Sequence, residues 1–316
     1  MKKQIDDFVS LCQHIGVRSD YVQGAGGNIS IKYDTNRMAI KASGIQLDQV
    51  NKNTGIAYLD ISGFYDELMA CQTEHAYNQL IASQTQRHQS SERASMETGF
   101  HAILGPVVLH THNVYSNCFL CSDKGIDQIK TLLPNAIVID YKTPGLELSK
   151  AIGLIAKSHL QKTTVFLLKN HGIIISGFHI EDVNDVHEKI TQRLKKASHL
   201  FDYPELKIVS DGDRYSGETP QLTQWMKRYG DDWLAQRILF PDQAIYFKPS
   251  SLKLTATSRS YASMKEAIAY ESLLLSIYVI QNHNVTQGWQ SAYLSEAQTS
   301  TLCHLSSEKY RQEKIK

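Results

Sequence analysis

Two apolar stretches, each ending in histidine, constrain this 316-residue chain more than any other feature. Residues 107–109 lead into His110 and His112, and residues 164–168 lead through a short turn into His171. If the first stretch is a strand, alternate side chains share one face, so its two histidines point the same way. Three imidazoles leave one position open on a zinc ion, which is typical of a catalytic rather than a structural site. The sequence therefore predicts a metal centre.

A carboxylate and two turns of small residues precede the first histidine pair. Glu97 lies on the segment before the strand, and we expect it to fold back near the imidazoles as a general base. Residues 24–30, G-A-G-G-N-I-S, and residues 41–44, K-A-S-G, offer backbone N–H groups and small polar side chains that suit an anion. The first turn lacks the Lys-Ser/Thr ending of a nucleotide-binding loop, so taken alone it favours a plain hairpin turn.

Composition excludes several classes of protein. The chain has 33 basic and 32 acidic residues and a net charge of +1, so no bulk field favours nucleic acid or an anionic membrane. The charged N-terminus lacks the apolar core of a secretion signal, and no apolar run approaches the length of a membrane span. Five cysteines, an odd number, do not suggest a disulfide framework, and Cys118 and Cys121 are predicted to pack on a helix. We expect a cytoplasmic protein.

The order of elements predicts an α/β or α+β domain of about 200 residues. An amphipathic helix over residues 4–16 opens the chain, and residues 51–60 are predicted to form a hairpin. Residues 66–91 are polar and are predicted to form an irregular connection. Further predicted elements are strands over 38–41, 137–139 and 164–168 and a long amphipathic helix over 180–197. The histidines of that helix, His187 and His199, are expected to lie at the surface or to pack rather than to bind metal.

The character of the chain changes near residue 206. Residues 211–220 are polar and rich in turn formers, followed by a strand-like stretch over 243–247 and a helix over 263–281. No catalytic constellation is evident in this part of the sequence. The predicted division is a metal-dependent domain over residues 1–205 and a smaller, mixed C-terminal extension over residues 206–316, whose function the sequence does not assign.

An ordered set of short motifs resembles the class II aldolase/adducin family, whose enzymes include L-fuculose-phosphate and L-rhamnulose-phosphate aldolases. The motifs, in family order, are G-G-N-I-S, K-A-S-G, S-M-E-T-x-x-H, H-T-H-N, D-Y-K-T-P-G-x-E-L and K-N-H-G-I-I-I-S-G. Each motif is weak alone, but the ordered set is specific. The resemblance covers roughly residues 2–201 and implies a central, mainly antiparallel sheet flanked by helices.

The resemblance also implies a role for each candidate residue. The implied ligands of Zn²⁺, or of another divalent metal, are His110, His112 and His171, and the implied acid/base is Glu97. The residues that fall where the aldolases bind the substrate phosphate are Asn28, Ser43, Gly44 and Ser95, with Lys41 in the same turn. Tyr141 falls where some members place a proton-donating tyrosine at a subunit interface. Relatives are often cyclic tetramers, so a homo-oligomer is expected.

The motif around Glu97 departs from the aldolase pattern. The phosphate site of the aldolases usually reads Ser-Ser-Glu, whereas this chain has Ser95-Met96-Glu97, and a thioether supplies no second hydroxyl. This form is closer to the aldolase part of large fused aldolase/short-chain dehydrogenase proteins. No G-x-G-x-x-G fingerprint of a dehydrogenase follows, so the extension stays unassigned.

The residues and the resemblance together predict a zinc-dependent class II aldehyde-lyase. Its reaction would be cleavage of a ketose phosphate or a related sugar through a metal-stabilised enediolate. Decarboxylase, dehydratase and epimerase reactions on a sugar or sugar-acid phosphate remain alternatives, because all proceed through a metal-stabilised enolate. A non-catalytic adducin-like scaffold is a further alternative, which the retained histidines and Glu97 disfavour. The expected partner is a small carbohydrate, with no nucleic acid and no membrane.

Overall fold

The computed structural model describes residues 2–88, 90–156, 162–247 and 259–315. Its helices are α1 (Lys2–Gly16), α2 (Phe64–Ala70), α3 (Glu74–Arg87), α4 (Thr98–Ile103), α5 (Val114–Leu120), α6 (Gly125–Leu132), α7 (Leu146–Ala156), α8 (Ile180–Ser198), α9 (Pro220–Gln236), α10 (Pro241–Phe247), α11 (Met264–Thr286), α12 (Glu296–His304) and α13 (Ser306–Ile315). Its strands are β1 (Asn28–Asp34), β2 (Arg37–Lys41), β3 (Ile56–Asp60), β4 (Val107–Thr111), β5 (Ile137–Ile139), β6 (Thr164–Leu168), β7 (Gly172–Gly177), β8 (Ile208–Asp211), β9 (Arg214–Gly217) and β10 (Ser260–Tyr261).

A seven-stranded sheet forms the centre of the first 200 residues. Its strand order is β3-β2-β1-β4-β7-β6-β5, and every neighbouring pair is antiparallel except β5 with β6. Every residue of β4 is buried, as expected of a Val- and Leu-rich strand with helices on both faces. The predicted mainly antiparallel sheet flanked by helices is confirmed.

Alternation along β4 sorts its side chains between two hydrophobic cores. Val107 and Leu109 belong to the core that includes α1, α5 and α8, whereas Val108 belongs to the core that includes α2, α3, α4 and α7. Since side chains two residues apart share a face of a strand, His110 follows Val108 onto the second face. Its ring there meets Phe100 of α4 edge to face, with the ring centroids 5.7 Å apart.

The C-terminal extension packs onto this sheet domain. It contains a small three-stranded sheet of order β10-β9-β8 and the helices α9 to α13. Asn284 of α11 donates its amide to the carbonyl of Cys121, which also accepts from the backbone of Ala292 at 2.9 Å. Phe119 and Trp289 place their rings 5.7 Å apart. Residues of both parts therefore share one hydrophobic core, and the boundary at residue 206 stays a prediction.

Three local predictions from the sequence are wrong. The polar stretch 66–91, expected to be irregular, contains α3 and most of α2, and buries Tyr77 and Leu80. The stretch 243–247, expected to be a strand, belongs to α10, a short helix whose seven residues are all buried. Residues 51–60 contain only β3, which pairs with β2 rather than with a partner inside its own stretch. Helix α3 is polar overall, and α10 is buried on all sides. Neither helix therefore has a clear apolar stripe with helical period, which is the signal that predicts a helix.

The cysteine prediction agrees with the structure, since Cys118 and Cys121 are free, buried and located on and just after α5. Among the residues that the structure describes, none of the helices combines the length and apolarity that crossing a membrane requires.

Candidate metal centre

Three imidazoles converge where β4 ends and the turn between β6 and β7 begins. His110 lies on β4, His112 follows the end of that strand, and His171 lies in the turn. One ring nitrogen from each comes within 4.8 Å of the others, and all three residues are buried. Asn170 adopts a left-handed φ of 55°, which lets the chain reverse tightly and present His171. The structure thus brings together the three predicted ligands.

Hydrogen bonding and burial favour the neutral, metal-binding form of these rings. His110 Nδ1 lies 2.9 Å from the carbonyl oxygen of Ile173, so Nδ1 carries the proton and Nε2 is free to bind. Burial lowers the pKa of His110 to about 4, and burial together with the two other rings lowers the pKa of His171 well below its ordinary value. Both imidazoles are therefore neutral at pH 7.

Glu97 lies directly beside the imidazoles. Its Oε1 is 3.6 Å from His110 Nε2 and 3.4 Å from His171 Nε2. Its other oxygen, Oε2, accepts a hydrogen bond from the side-chain amide of Asn28 at 2.5 Å. Glu97 occupies the N-cap position of α4 without a side-chain capping hydrogen bond, and Tyr77 donates to the carbonyl of the preceding Met96 at 2.7 Å. The predicted carboxylate is thus in place beside the three rings.

The buried polar atoms of this cluster fit a divalent cation. Within the described part of the chain, His110 Nε2, His112 Nε2 and Glu97 Oε1 are buried and have no hydrogen-bond partner. Unpaired buried nitrogen and oxygen atoms are costly unless a ligand satisfies them. Three imidazoles with an adjacent carboxylate form a donor set that suits zinc and its neighbours in the first transition series.

The predicted anion-binding residues line the cavity above the imidazoles, but several already have partners. Lys41 is buried and donates to the carbonyls of Ala25 at 2.9 Å and Ile45 at 2.8 Å, and burial lowers its pKa to about 7. The Ser95 hydroxyl accepts from the backbone N–H of Glu97 at 3.2 Å. The remaining lining residues of this predicted set are Asn28, Ser43 and Gly44.

Tyr141 is not among the residues that line this cavity, although Pro144 of the same loop is. Its hydroxyl is buried without a hydrogen-bond partner among the described residues. Burial, followed by the carboxylates of Glu147 and Glu308, raises the pKa of this phenol above its ordinary value. The structure therefore does not bring Tyr141 into the cavity of its own chain.

Three charged residues of the extension reach the site and were not predicted. Asp242, at the start of α10, places Oδ2 2.8 Å from His112 Nδ1. Arg311 of α13 donates to Asp242 Oδ1 at 2.8 Å and to Glu308 at 2.9 Å. Burial alone would raise the pKa of Asp242, but Arg311 and His112 hold it well below its usual range. A Pro-Asp pair is a helix-start signal that the sequence did contain, but nothing in it indicated proximity to His112.

Helix α13 covers the cavity. Ser307 contacts the sulfur of Met96 at 3.4 Å, and the Arg93 guanidinium lies 4.5 Å from the ring centroid of Tyr310. A Cβ built on Gly44 would approach the side chain of Lys314 to 2.8 Å, so this helix packs directly on the predicted phosphate turn. The enclosed volume is about 20 Å³. That volume holds about one water molecule, so a larger molecule would fit only if this cover moved.

The structure places three histidines and a carboxylate at the ends of the central strands of a mainly antiparallel sheet. This chain belongs to the family described as the class II aldolase and adducin N-terminal domain, whose model matches residues 6–195. Helices α9 to α13 lie outside that match.

Two curated relatives each match 62% of the chain. An L-fuculose phosphate aldolase of Methanococcus maripaludis (strain C5) is 25% identical over 201 residues, which are 62% of this chain and 94% of the relative. The enzyme of the same name from Methanococcus vannielii is 24% identical over 201 residues, 62% of this chain and 96% of the relative. The N-terminal class II aldolase domain of a conserved protein from Thermoplasma acidophilum is similar in structure, with 25% identity, a TM-score of 0.54 and coverage of 61% of this chain and 92% of that one.

Proposed function

We propose that this protein is a zinc-dependent aldehyde-lyase that cleaves a ketose phosphate or a related sugar. The observation that carries the proposal is the approach of Glu97 Oε1 to within 3.4 and 3.6 Å of two of the three converging imidazoles. A carboxylate so placed can exchange a proton with a substrate that occupies the open metal position. The names of the methanogen relatives support a sugar phosphate as the substrate.

A divalent cation held by His110, His112 and His171 would act as a Lewis acid toward the substrate carbonyl and stabilise the negative charge that develops on its oxygens. In the cleavage direction, a base removes the proton of the hydroxyl next to the scissile carbon–carbon bond. The electron pair of that bond moves to the ketone fragment as the aldehyde departs. Glu97 in its acid form then gives a proton to the carbon that carried the bond, and the proton taken from the hydroxyl returns to Glu97 by exchange with solvent, so no net proton is consumed.

Asn28 and the surrounding loop keep Glu97 in place for this step. The Asn28 amide holds Oε2, which leaves Oε1 directed toward the imidazoles. Lys41, Ser43, Gly44 and Ser95 would form the wall on which the substrate anion binds once α13 has moved. A backbone-rich wall with one buried ammonium is suited to a phosphate or a carboxylate.

The position of Tyr141 supports an oligomer as part of the proposal. Tyr141 does not line the cavity of its own chain, so a proton-donating role would require that it reach the site of a neighbouring copy. We propose a homo-oligomer, with a tetramer as the candidate form, that acts in the cytoplasm. Sedimentation equilibrium measures the assembly, and a purely monomeric protein would remove Tyr141 from the catalytic set.

The reaction is tested by incubating the zinc-loaded protein with a panel of ketose 1-phosphates and sugar-acid phosphates. Glycerone phosphate and carbon dioxide are followed in the same samples. We expect glycerone phosphate from at least one ketose phosphate, and loss of at least about 1,000-fold in turnover for Glu97→Gln with the zinc content unchanged, because the proton-transfer group is lost. His110→Ala should lose both zinc and turnover.

The alternatives are separated by the same panel. Carbon dioxide without glycerone phosphate would identify a decarboxylase and refute the aldolase proposal. This chain has Met96 where the aldolases usually have a hydroxyl residue, and the Met96 sulfur contacts Ser307. The panel should therefore also include substrates without phosphate. A protein that takes up no zinc and turns over nothing would favour the non-catalytic scaffold.

A further inference from the structure

We infer that Asp242 of the C-terminal extension is a positioning residue for the metal ligand His112. Neither the family match, which ends at residue 195, nor the sequence motifs include it. The inference rests on the metal of the proposed function but not on its reaction. It gives the extension a direct part in the metal centre.

The contact between Asp242 and His112 is short, and both side chains are buried. Asp242 Oδ2 lies 2.8 Å from His112 Nδ1, with 1% and 5% of the two side chains exposed. A carboxylate oxygen is tolerated at this distance from a ring nitrogen only when that nitrogen carries a proton. The short approach therefore places the proton of His112 on Nδ1 and leaves Nε2 for the metal, although the two atoms are not aligned as a hydrogen bond, unlike His110 Nδ1 and the Ile173 carbonyl.

The chain leaves room for this contact at Gly26. A Cβ built on Gly26 would lie 2.6 Å from Asp242 Oδ2 and 2.7 Å from His112 Nδ1. These distances are shorter than real Cβ contacts, so a side chain at this position would push the carboxylate and the imidazole apart. The glycine-rich turn that the sequence offered as an anion site thus also gives space to the Asp242–His112 pair.

The segment that carries Asp242 is tied to the turn that carries His171. Asn170 donates its side-chain amide to the carbonyl of Leu239 at 2.9 Å and to that of Ala292 at 2.8 Å. Gln243 accepts from the backbone N–H of Leu239 at 2.9 Å and so closes the start of α10. Asn170, which is adjacent to the ligand His171, therefore helps to position Asp242, which contacts the ligand His112.

Arg311 holds the far side of Asp242. It donates to Oδ1 at 2.8 Å, and its second amino group meets Glu308 at 2.9 Å. Because Oδ1 is occupied by Arg311, rotation of the carboxylate is restricted and Oδ2 stays on His112. The chain of contacts runs from α13 through Arg311 and Asp242 to the imidazole.

The experiment compares the metal affinity of full-length variants. Metal-free protein is titrated with Zn²⁺ in competition with a chelating dye, and with Co²⁺ by its visible absorption. We expect Asp242→Ala to weaken Zn²⁺ binding by about 10- to 100-fold, the usual effect of removing a carboxylate that orients a ligating histidine. Asp242→Asn, which keeps the side-chain volume, should weaken binding by a smaller factor and should shift the Co²⁺ absorption.

Glu271→Gln is the matched control. Glu271 is equally buried, lies in the same extension and pairs with Arg259 at 2.7 Å, but it is not among the residues lining the cavity. We expect this variant to lower the free energy of unfolding without changing Zn²⁺ affinity. Wild-type affinity in Asp242→Ala and Asp242→Asn would overturn the inference, as would an equal loss in Glu271→Gln. If the wild-type protein itself bound no metal, the proposed function would fail first.

Discussion

At the scale of single residues, the Asn28–Glu97 pair shows how a hydrogen bond fixes the orientation of the carboxylate. Asn28 was predicted to bind the substrate phosphate, and that role stays a prediction. In the structure its amide is instead the partner of the carboxylate, at 2.5 Å. A second buried acceptor at this position would repel Glu97, so an amide donor is the side chain that this contact requires.

Replacing Asn28 should therefore affect turnover more than metal binding. We expect Asn28→Ala to lower kcat by about 10- to 100-fold, because a catalytic group displaced by about 1 Å loses that order of rate. Zinc content, measured by elemental analysis, should stay at the wild-type level. Asn284→Ala is the control, since Asn284 is equally buried and also donates its amide, but to Cys121 and Ser291. Equal kcat in wild type and Asn28→Ala would contradict this assignment.

The sequence predicted those site residues that lie within one element or in ordered motifs. His110 and His112 follow from the period of a strand, and His171 from a second apolar run that ends in the same way. Asp242 lies 130 positions after His112, and no local pattern encodes such a separation. The contact between Asp242 and His112 depends on how the extension packs on the sheet domain. The periodicity of apolar residues in the sequence carries no information about that packing.

At the scale of elements, α13 lies over the cavity and contributes Glu308 and Arg311 to its lining. Its contacts on the sheet domain include Ser307 on Met96 and Tyr310 on Arg93, and its Lys314 side chain lies beside Gly44. An exposed cation–π contact contributes about 0.5–1 kcal/mol. Removal of one such contact should therefore raise the fraction of molecules in which this helix is detached without unfolding the protein.

Tyr310→Ala tests this view of α13. We expect a strong chelator to remove zinc from this variant about 2- to 5-fold faster than from the wild type, the factor that corresponds to about 0.5–1 kcal/mol. The rate is measured by stopped flow with a zinc-sensitive dye. Tyr229→Ala removes a similar contact, with Arg228 at 5.3 Å on α9, and should leave the rate unchanged. Identical rates in all three proteins would show that zinc leaves by another route.

The elements also show where prediction from sequence succeeds. Helix α1 and strands β2, β4, β5 and β6 were predicted from the spacing of their apolar residues, whereas β1 and β7 were not predicted as strands. Helix α3 was missed, because its sequence E-H-A-Y-N-Q-L-I-A-S-Q-T-Q-R buries Gln84 and Thr85 alongside its apolar residues. Helix α10 was taken for a strand, because a short helix buried on every side presents a continuous apolar run.

At the scale of the whole molecule, the sheet domain and the extension share one core and one site. The core on the α8 face includes Leu194 of α8 together with Leu222 and Trp225 of α9. The interior also encloses His187, and a buried histidine makes the stability of the folded protein sensitive to acid. This residue was expected to pack or to lie at the surface, and it is fully buried between the Tyr21 ring and Thr111.

His187 should make the protein less stable below pH 6.5. Burial, followed by the charges of Arg18 and His14, lowers its pKa to about 3, whereas in the unfolded chain it takes up a proton near pH 6.5. As pH falls from 6.5 toward 3, only the unfolded state gains this proton, so stability is lost. Between pH 6.5 and 5 the free energy of unfolding should fall by about 2 kcal/mol more in the wild type than in His187→Gln.

Urea unfolding of the metal-free proteins at the two pH values measures this difference. The other histidines are common to both proteins, so their contributions cancel in the comparison. A wild-type protein and a variant with the same dependence on pH would show that His187 is protonated in the folded state.

The order of the contacts along the chain has a consequence for how the centre is filled during synthesis. The ribosome adds His171 before Asp242 by 71 residues and before Arg311 by 140 residues. At roughly 5–20 residues per second, the three imidazoles exist for about 7 to 28 s before the helix that covers them is made. A nascent chain therefore passes through a period in which the three imidazoles exist without the helix that covers them, and under the proposed function the metal would be able to bind before that helix is made.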